Sequence, residues 1–109
     1  AEHLRSPRWS AAELQPWAES KHRVDLDVFA ARSPRPVWQA LMPQVQCPIL
    51  LLYGDNHTLV DEAIAEEASA LWKHGEAVQI AHAGHCIRRD NAPDYGEAVS
   101  AFLSEHYLE

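Results

Sequence analysis

A glycine–histidine pair, Gly84-His85, follows the apolar segment 77–81 and is the first candidate for chemistry in this sequence. A histidine on a loop at the carboxyl end of a strand can take a proton from a nucleophile and return it to a leaving group. Gly84 gives the backbone the freedom to turn the ring toward such a site. A histidine in a loop is by itself an ordinary residue, but the elements around His85 indicate a catalytic position.

An aspartate at the end of an earlier apolar segment, Asp55 after Gly54, is the candidate for orienting that histidine. A carboxylate that accepts a hydrogen bond from the ring fixes its tautomer and stabilises its charged form. Asp61 is better placed as the cap of the following helix. The alternatives to Asp55 are an acid outside this sequence or no acid at all.

A rival arrangement is a metal site made by His82, His85 and Cys86, with His57 as a fourth ligand. These residue types bind zinc or nickel. Structural zinc sites usually have tighter paired spacings, so we expect no metal. In that case His82 alternates outward from its strand, and Cys86 packs as a small apolar residue.

The elements that position these residues begin at Pro48. The run 49–53 (Ile-Leu-Leu-Leu-Tyr) indicates a strand buried on both faces, as in parallel sheets. Apolar residues at helical spacing then predict a helix that stops at Gly75, and 77–81 predicts a second strand. Asn91 and Pro93 are typical of the start of a final helix. The order β-α-β-α predicts an α/β fold with two parallel strands and covering helices.

The N-terminal part of the chain is predicted to be helical. Ser10 and Glu13 have the spacing of a capping box, and 26–30 contains a second short apolar stripe. The segment 33–36 (Ser-Pro-Arg-Pro) should break the helix. A further short helix around 37–42 should stop before Pro43.

Composition excludes several classes of function. Of the 109 residues, 47% are hydrophobic, which favours a folded core, and the formal net charge is −7. An acidic chain does not neutralise phosphates, so we expect neither nucleic-acid nor membrane binding. The sequence has two cysteines and no signal-peptide pattern, so we expect a cytoplasmic protein. Cys47 precedes the first predicted strand and Cys86 follows the second, so parallel strands place them at opposite ends of the sheet, and we expect both to be free thiols.

The segment from Cys47 to Leu103, with Leu-Tyr-Gly-Asp after one strand and Ala-Gly-His after the next, resembles the C-terminal portion of the α/β-hydrolase fold. The resemblance implies two domains: 1–46 as a cap-like helical segment, matched loosely, and 47–109 as the closing β-α-β-α unit. It implies a serine-type hydrolase of ester, amide or related bonds, with His85 as base and acid and Asp55 as its partner. Such an enzyme needs no cofactor. In many members the acid lies slightly further along, where this sequence has Asn56 and His57; a histidine cannot take that role.

The nucleophile of that family lies in a G-x-S-x-G turn, which this sequence lacks. The chain has four glycines, and none of them flanks a serine at that spacing. The resemblance therefore implies a fragment that pairs with the upstream part of the same fold, which would also shape the pocket for a small-molecule substrate. Alone, it should not hydrolyse anything.

The alternative function is a free-standing, non-catalytic α/β domain that self-associates or binds a partner. In the fragment interpretation, loss of the upstream strands leaves strand 49–53 with an unpaired edge, and such an edge is a template for pairing. We therefore expect the isolated chain to form a homodimer, or a domain-swapped one in which the N-terminal helices cover the sheet of the neighbour.

Overall fold

The computed structural model describes residues 6–30 and 37–107. These residues belong to two compact units, one within Ala1–Pro36 and the other within Val37–Glu109. The division lies N-terminal to the boundary predicted at residue 46, because the short helices after Val37 contact the helix Glu62–Leu71 of the second unit. The assignment of domains itself stays a prediction, and the helix break predicted at 33–36 lies outside the described residues.

The N-terminal unit contains helix α1 (Ala11–His22) and a 3-10 helix (Leu26–Phe29). Both elements were predicted, but the capping box at Ser10 is wrong. The Ser10 side chain makes no capping hydrogen bond, and the Glu13 amide donates instead to the Ser10 carbonyl at 3.0 Å. Within this unit the ring of Trp9 packs edge-on against the ring of Trp17, with 5.8 Å between the ring centroids.

The second unit has the predicted α/β architecture. Its elements are, in chain order, helix α2 (Trp38–Leu41), a 3-10 helix (Met42–Gln44), strand β1 (Ile49–Gly54), helix α3 (Glu62–Leu71), strand β2 (Gly75–Ile80), helix α4 (Ile87–Asp90) and helix α5 (Ala92–His106). The two strands are parallel, with Ile49 opposite Gly75 and Gly54 opposite Ile80. The predicted parallel pair is therefore confirmed.

Helix α3 begins where its sequence predicts, but it ends earlier. The Asp61 carboxylate accepts the Ile64 amide at 2.9 Å, which confirms the predicted cap. Ala65 and Ala68 are the buried residues of this helix. Its C-terminal stop was predicted at Gly75, which is wrong: the helix ends at Leu71, and Gly75 is the first residue of β2.

Helix α5 also begins as predicted, whereas α4 was not foreseen. Asn91 precedes α5 and its side-chain oxygen accepts the Asp94 amide at 3.3 Å. Helix α4 has only four residues, too few for a periodic apolar pattern to be recognised. This short helix lies between the Gly84-His85 loop and α5, and it proves important for the site.

Strand β1 is less buried than its apolar run predicted. Residues Ile49–Tyr53 are half-buried, and only Gly54 is fully buried. The helices cover β1 only in part, because α3 packs on β2, whereas α4 and α5 contact β1. The prediction that β1 is buried on both faces is therefore wrong for the described part of the chain.

One edge of β1 has no strand beside it among residues 6–30 and 37–107. The Ile49 amide donates to the His74 carbonyl at 2.8 Å. The backbone amides and carbonyls of Ile49, Leu51 and Tyr53 therefore face β2. Backbone direction alternates along a strand, so the amides and carbonyls of Leu50 and Leu52 face the other edge.

Two further findings concern membrane-spanning helices and the two cysteines. Within the described part, no helix has both the length and the apolar character needed to cross a membrane. Cys47 is exposed before β1, Cys86 is half-buried after β2, and both are free thiols.

Candidate functional site

The candidate site lies at the carboxyl edge of the sheet. Because β1 and β2 are parallel and Gly54 lies opposite Ile80, the loops that follow them leave the sheet side by side. The first loop, 55–61, carries Asp55, and the second, 81–86, carries His85. The fold thus brings the two sequence-predicted site residues to the same edge.

Asp55 joins these two loops through its backbone and its side chain. Its carboxylate accepts the His82 amide at 2.8 Å and the Ala83 amide at 3.1 Å, one on each oxygen. In return, the amides of Asp55 and Asn56 donate to the Ala83 carbonyl at 2.9 and 3.1 Å. This reciprocal set fixes the position of the second loop against the first.

The pKa of the Asp55 carboxyl lies below its ordinary value. The first cause is the hydrogen bond from the His82 amide, followed in the same direction by those from Ala83 and Asp55 itself; loss of hydration works against them. Amides that donate to the ionised form favour that form. Asp55 is therefore a carboxylate at neutral pH, in keeping with its role as an acceptor.

Backbone conformation makes this close approach possible. A side chain on Gly54 would overlap the Ala83 carbonyl, with its carbonyl carbon only 2.7 Å from the added Cβ. His82 adopts a left-handed conformation, with φ of 57°. Such a conformation is uncommon for a residue other than glycine, and the hydrogen bond of its amide to Asp55 holds it there.

The second loop is also held from its other side. The Gly84 amide donates to the Asp90 carboxylate at 2.8 Å, and the Asn91 side-chain amide donates to the Ala81 carbonyl at 2.8 Å. Asn91 was predicted only as a helix start, and Asp90 was not predicted as a site residue. The feature of the sequence that could have identified Asp90 and Asn91 is their position shortly after Gly84-His85. The segment between is too short for its pattern to indicate a helix.

His85 itself is exposed and lies where two open grooves meet. One groove, of about 260 Å³, runs toward the first loop and is lined mainly by apolar residues, among them Leu52, Leu59, Val60 and Ile87. The other, of about 370 Å³, is lined by Leu52, Cys86, Ile87, Arg88, Arg89 and Tyr95. His85 thus borders both grooves.

The structure does not place Asp55 on the His85 ring. No hydrogen bond joins the two side chains, both of which lie in the described part of the chain, and both carboxylate oxygens of Asp55 accept backbone amides. In this arrangement Asp55 acts on the backbone of the histidine loop. That it orients the ring directly stays a prediction.

The rival metal arrangement is not assembled here. Across residues 6–30 and 37–107, no group of three or more histidine, cysteine, aspartate or glutamate side chains could hold a metal ion. His82 was expected to alternate outward from its strand, which is wrong, because β2 ends at Ile80 and His82 lies in the turn beyond it. Cys86 is the residue that precedes α4.

Comparisons of the chain with protein-family models, with curated proteins and with solved structures find no match. What the geometry offers is an exposed histidine at the carboxyl edge of a parallel sheet. The carboxylates of Asp55 and Asp90 and the side-chain amide of Asn91 fix the loop that carries this histidine. The histidine itself borders two grooves.

Proposed function

We propose that residues 47–109 form the closing unit of a serine-type α/β-hydrolase, in which His85 is the general base and then the general acid. The observation that carries the proposal is the placement of His85: it is exposed, it borders both grooves, and its loop is fixed at the carboxyl edge of two parallel strands. Ligands of open α/β sheets bind at that edge.

The proposed reaction is hydrolysis of an ester, amide or related bond. The His85 ring would take the proton of a serine hydroxyl as it attacks the carbonyl, and would return that proton to the leaving group. The serine and the donors that stabilise the oxyanion would come from a segment that this sequence does not contain. Such a segment could add strands at the open edge of β1.

The fixed backbone around His85 supports this role. A general base must lie within hydrogen-bond reach of the proton it removes, and small displacements cost much of the rate. The bonds from His82, Ala83 and Gly84 to carboxylates restrict the loop before any substrate binds. Asp55 remains the proposed partner of His85, here through the loop that it holds.

The test begins with the gene. If the coding sequence extends upstream, the longer protein should contain a G-x-S-x-G turn and should hydrolyse p-nitrophenyl esters. Substituting His85→Ala should lower its kcat by roughly a thousandfold or more. His74→Ala is the matched control, because His74 is exposed at the opposite, amino edge of the sheet, and it should leave kcat unchanged.

The isolated chain gives a second readout. Because it lacks the nucleophile, it should not hydrolyse these esters faster than free imidazole at equal concentration. An upstream sequence with no such turn, or a long protein whose activity is indifferent to His85→Ala, would refute the proposal.

A second candidate function is a non-catalytic domain that acts by association. The observation that favours it is the open edge of β1, where the backbone groups of Leu50 and Leu52 face away from β2. Exposed apolar side chains elsewhere agree with it: Leu26 and Phe29 are each 76% exposed. If this candidate is correct, the isolated chain should be a dimer by sedimentation equilibrium.

A further inference from the structure

We propose that Asp90 is a positioning residue for His85: it fixes the backbone on both sides of the histidine and so determines where the ring lies. The local geometry stands by itself. Only the catalytic consequence rests on the proposed hydrolase function.

Asp90 contacts both neighbours of His85. Its side-chain Oδ2 accepts the amide of Gly84 at 2.8 Å, and its own backbone amide donates to the Cys86 carbonyl at 3.0 Å. His85 is therefore the single residue between two points that are bonded to the same aspartate. These two bonds restrict the backbone of residues 84–86, of which His85 is the middle one.

The other carboxylate, on Asp55, holds a different part of the loop. It accepts the amides of His82 and Ala83, while Asn91 holds the Ala81 carbonyl. Thus the amide nearest to His85 on its N-terminal side, that of Gly84, depends on Asp90. The two aspartates hold successive amides, and Asp90 is the one adjacent to the histidine.

Asp90 lies between two helices: it is the last residue of the four-residue α4 and directly precedes Asn91, the N-cap of α5. Asp90 is half-buried, where a hydrogen bond from an amide to a carboxylate is stronger than one between neutral groups. Its position agrees with a role in holding the Gly84 peptide.

The test compares three variants of the full chain by nuclear magnetic resonance. Asp90→Ala removes the acceptor, whereas Asp90→Asn retains an oxygen that can accept the Gly84 amide. Asp61→Ala is the matched control, because Asp61 also accepts one backbone amide but caps α3 on a separate helix. The signals followed are the Gly84 amide and the His85 ring.

We expect Asp90→Ala to shift the Gly84 amide and to change or broaden the His85 ring signals. Asp90→Asn should restore both toward the wild-type positions, and Asp61→Ala should lower stability without altering either signal. An unchanged His85 ring in a folded Asp90→Ala variant would overturn the proposal, as would an Asp61→Ala variant that perturbs the ring to the same extent.

A measurement on the unmodified chain decides the matter if Asp90→Ala does not fold. The Gly84 amide should show a scalar coupling to the Asp90 carboxyl carbon across the hydrogen bond and slow exchange with solvent; absence of both would overturn the proposal. In an active longer enzyme, Asp90→Ala should lower kcat by roughly ten- to a hundredfold with little change in KM. If no such enzyme exists, the hydrolase proposal fails, while the resonance measurements still decide the role of Asp90.

Discussion

At the scale of single residues, the site depends on side chains that bind backbone. Asp55, Asp90 and Asn91 together bond to four consecutive residues, Ala81 to Gly84, that lead to His85. Backbone groups outside helices and strands need partners, and side chains provide them here. A loop satisfied in this way can present His85 from a defined position.

The Asp55 carboxylate should make this loop sensitive to acid. Its pKa in the folded chain lies below the ordinary 3.8, so its contribution to stability is fully present above that value. The contribution is lost as the pH falls through the folded-state pKa, because the protonated carboxyl is a weaker acceptor. The amide resonances of His82 and Ala83 should therefore shift with a midpoint below 3.8.

Asp55→Asn is the control for that titration, since it retains an acceptor but cannot ionise in this range. In the variant the two amide signals should no longer follow the acid titration. A midpoint above 3.8 in the unmodified chain, or an identical titration in Asp55→Asn, would contradict the assignment of these hydrogen bonds.

At the scale of elements, the site requires a close contact between the end of β1 and the loop after β2. Gly54→Ala should disrupt that contact, because the new Cβ would overlap the Ala83 carbonyl. Overpacking of this kind lowers the free energy of unfolding by about 1–3 kcal/mol. Urea denaturation followed by circular dichroism measures the change.

Gly96→Ala is the matched glycine substitution. Gly96 lies inside α5, and an added Cβ meets no atom within 4 Å. Alanine in a helix interior should raise the free energy of unfolding by about 0.5–1 kcal/mol. Opposite signs for the two variants are expected; a Gly54→Ala chain as stable as the unmodified one would show that the loops do not approach as described.

At the scale of the whole molecule, the open edge of β1 leads to the expected association. A two-fold axis through Leu51 would pair β1 antiparallel with its copy. The outward backbone groups of Leu50 and Leu52 would then bond to those of the second chain. Neither proline nor charge interrupts Ile49–Gly54, so the strand lacks the usual protection of an edge.

Leu50→Pro tests this dimer with little disturbance of the fold. It removes an amide that faces away from β2, so the ladder between β1 and β2 keeps its hydrogen bonds. We expect a folded monomer by sedimentation equilibrium and circular dichroism, while the unmodified chain is a dimer. Leu51→Pro, the control, removes an inward-facing amide and should unfold the unit; a folded, unmodified monomer at high micromolar concentration would rule out the dimer.

The sequence by itself determined the elements whose signals are local. The apolar run 49–53, the Asp61 cap and the Asn91 start each reflect propensities or contacts within a few residues, and each was found where predicted. The parallel pairing of the strands also followed, because a strand–helix–strand connection permits little else. The same pattern placed His85 and Asp55 at one edge of the sheet.

Tertiary structure alone decided what holds the histidine. The contacts of Asp55 with His82 and Ala83 join residues far apart in sequence, and no local pattern specifies which amides a carboxylate will meet. Ser10 failed as a capping box and Gly75 as a helix stop because spacing shows which bonds are possible, whereas packing selects those that form. Asp90 was missed for a related reason: its partner, Gly84, is nearby in the chain, but only the turn of α4 brings the carboxylate back to it.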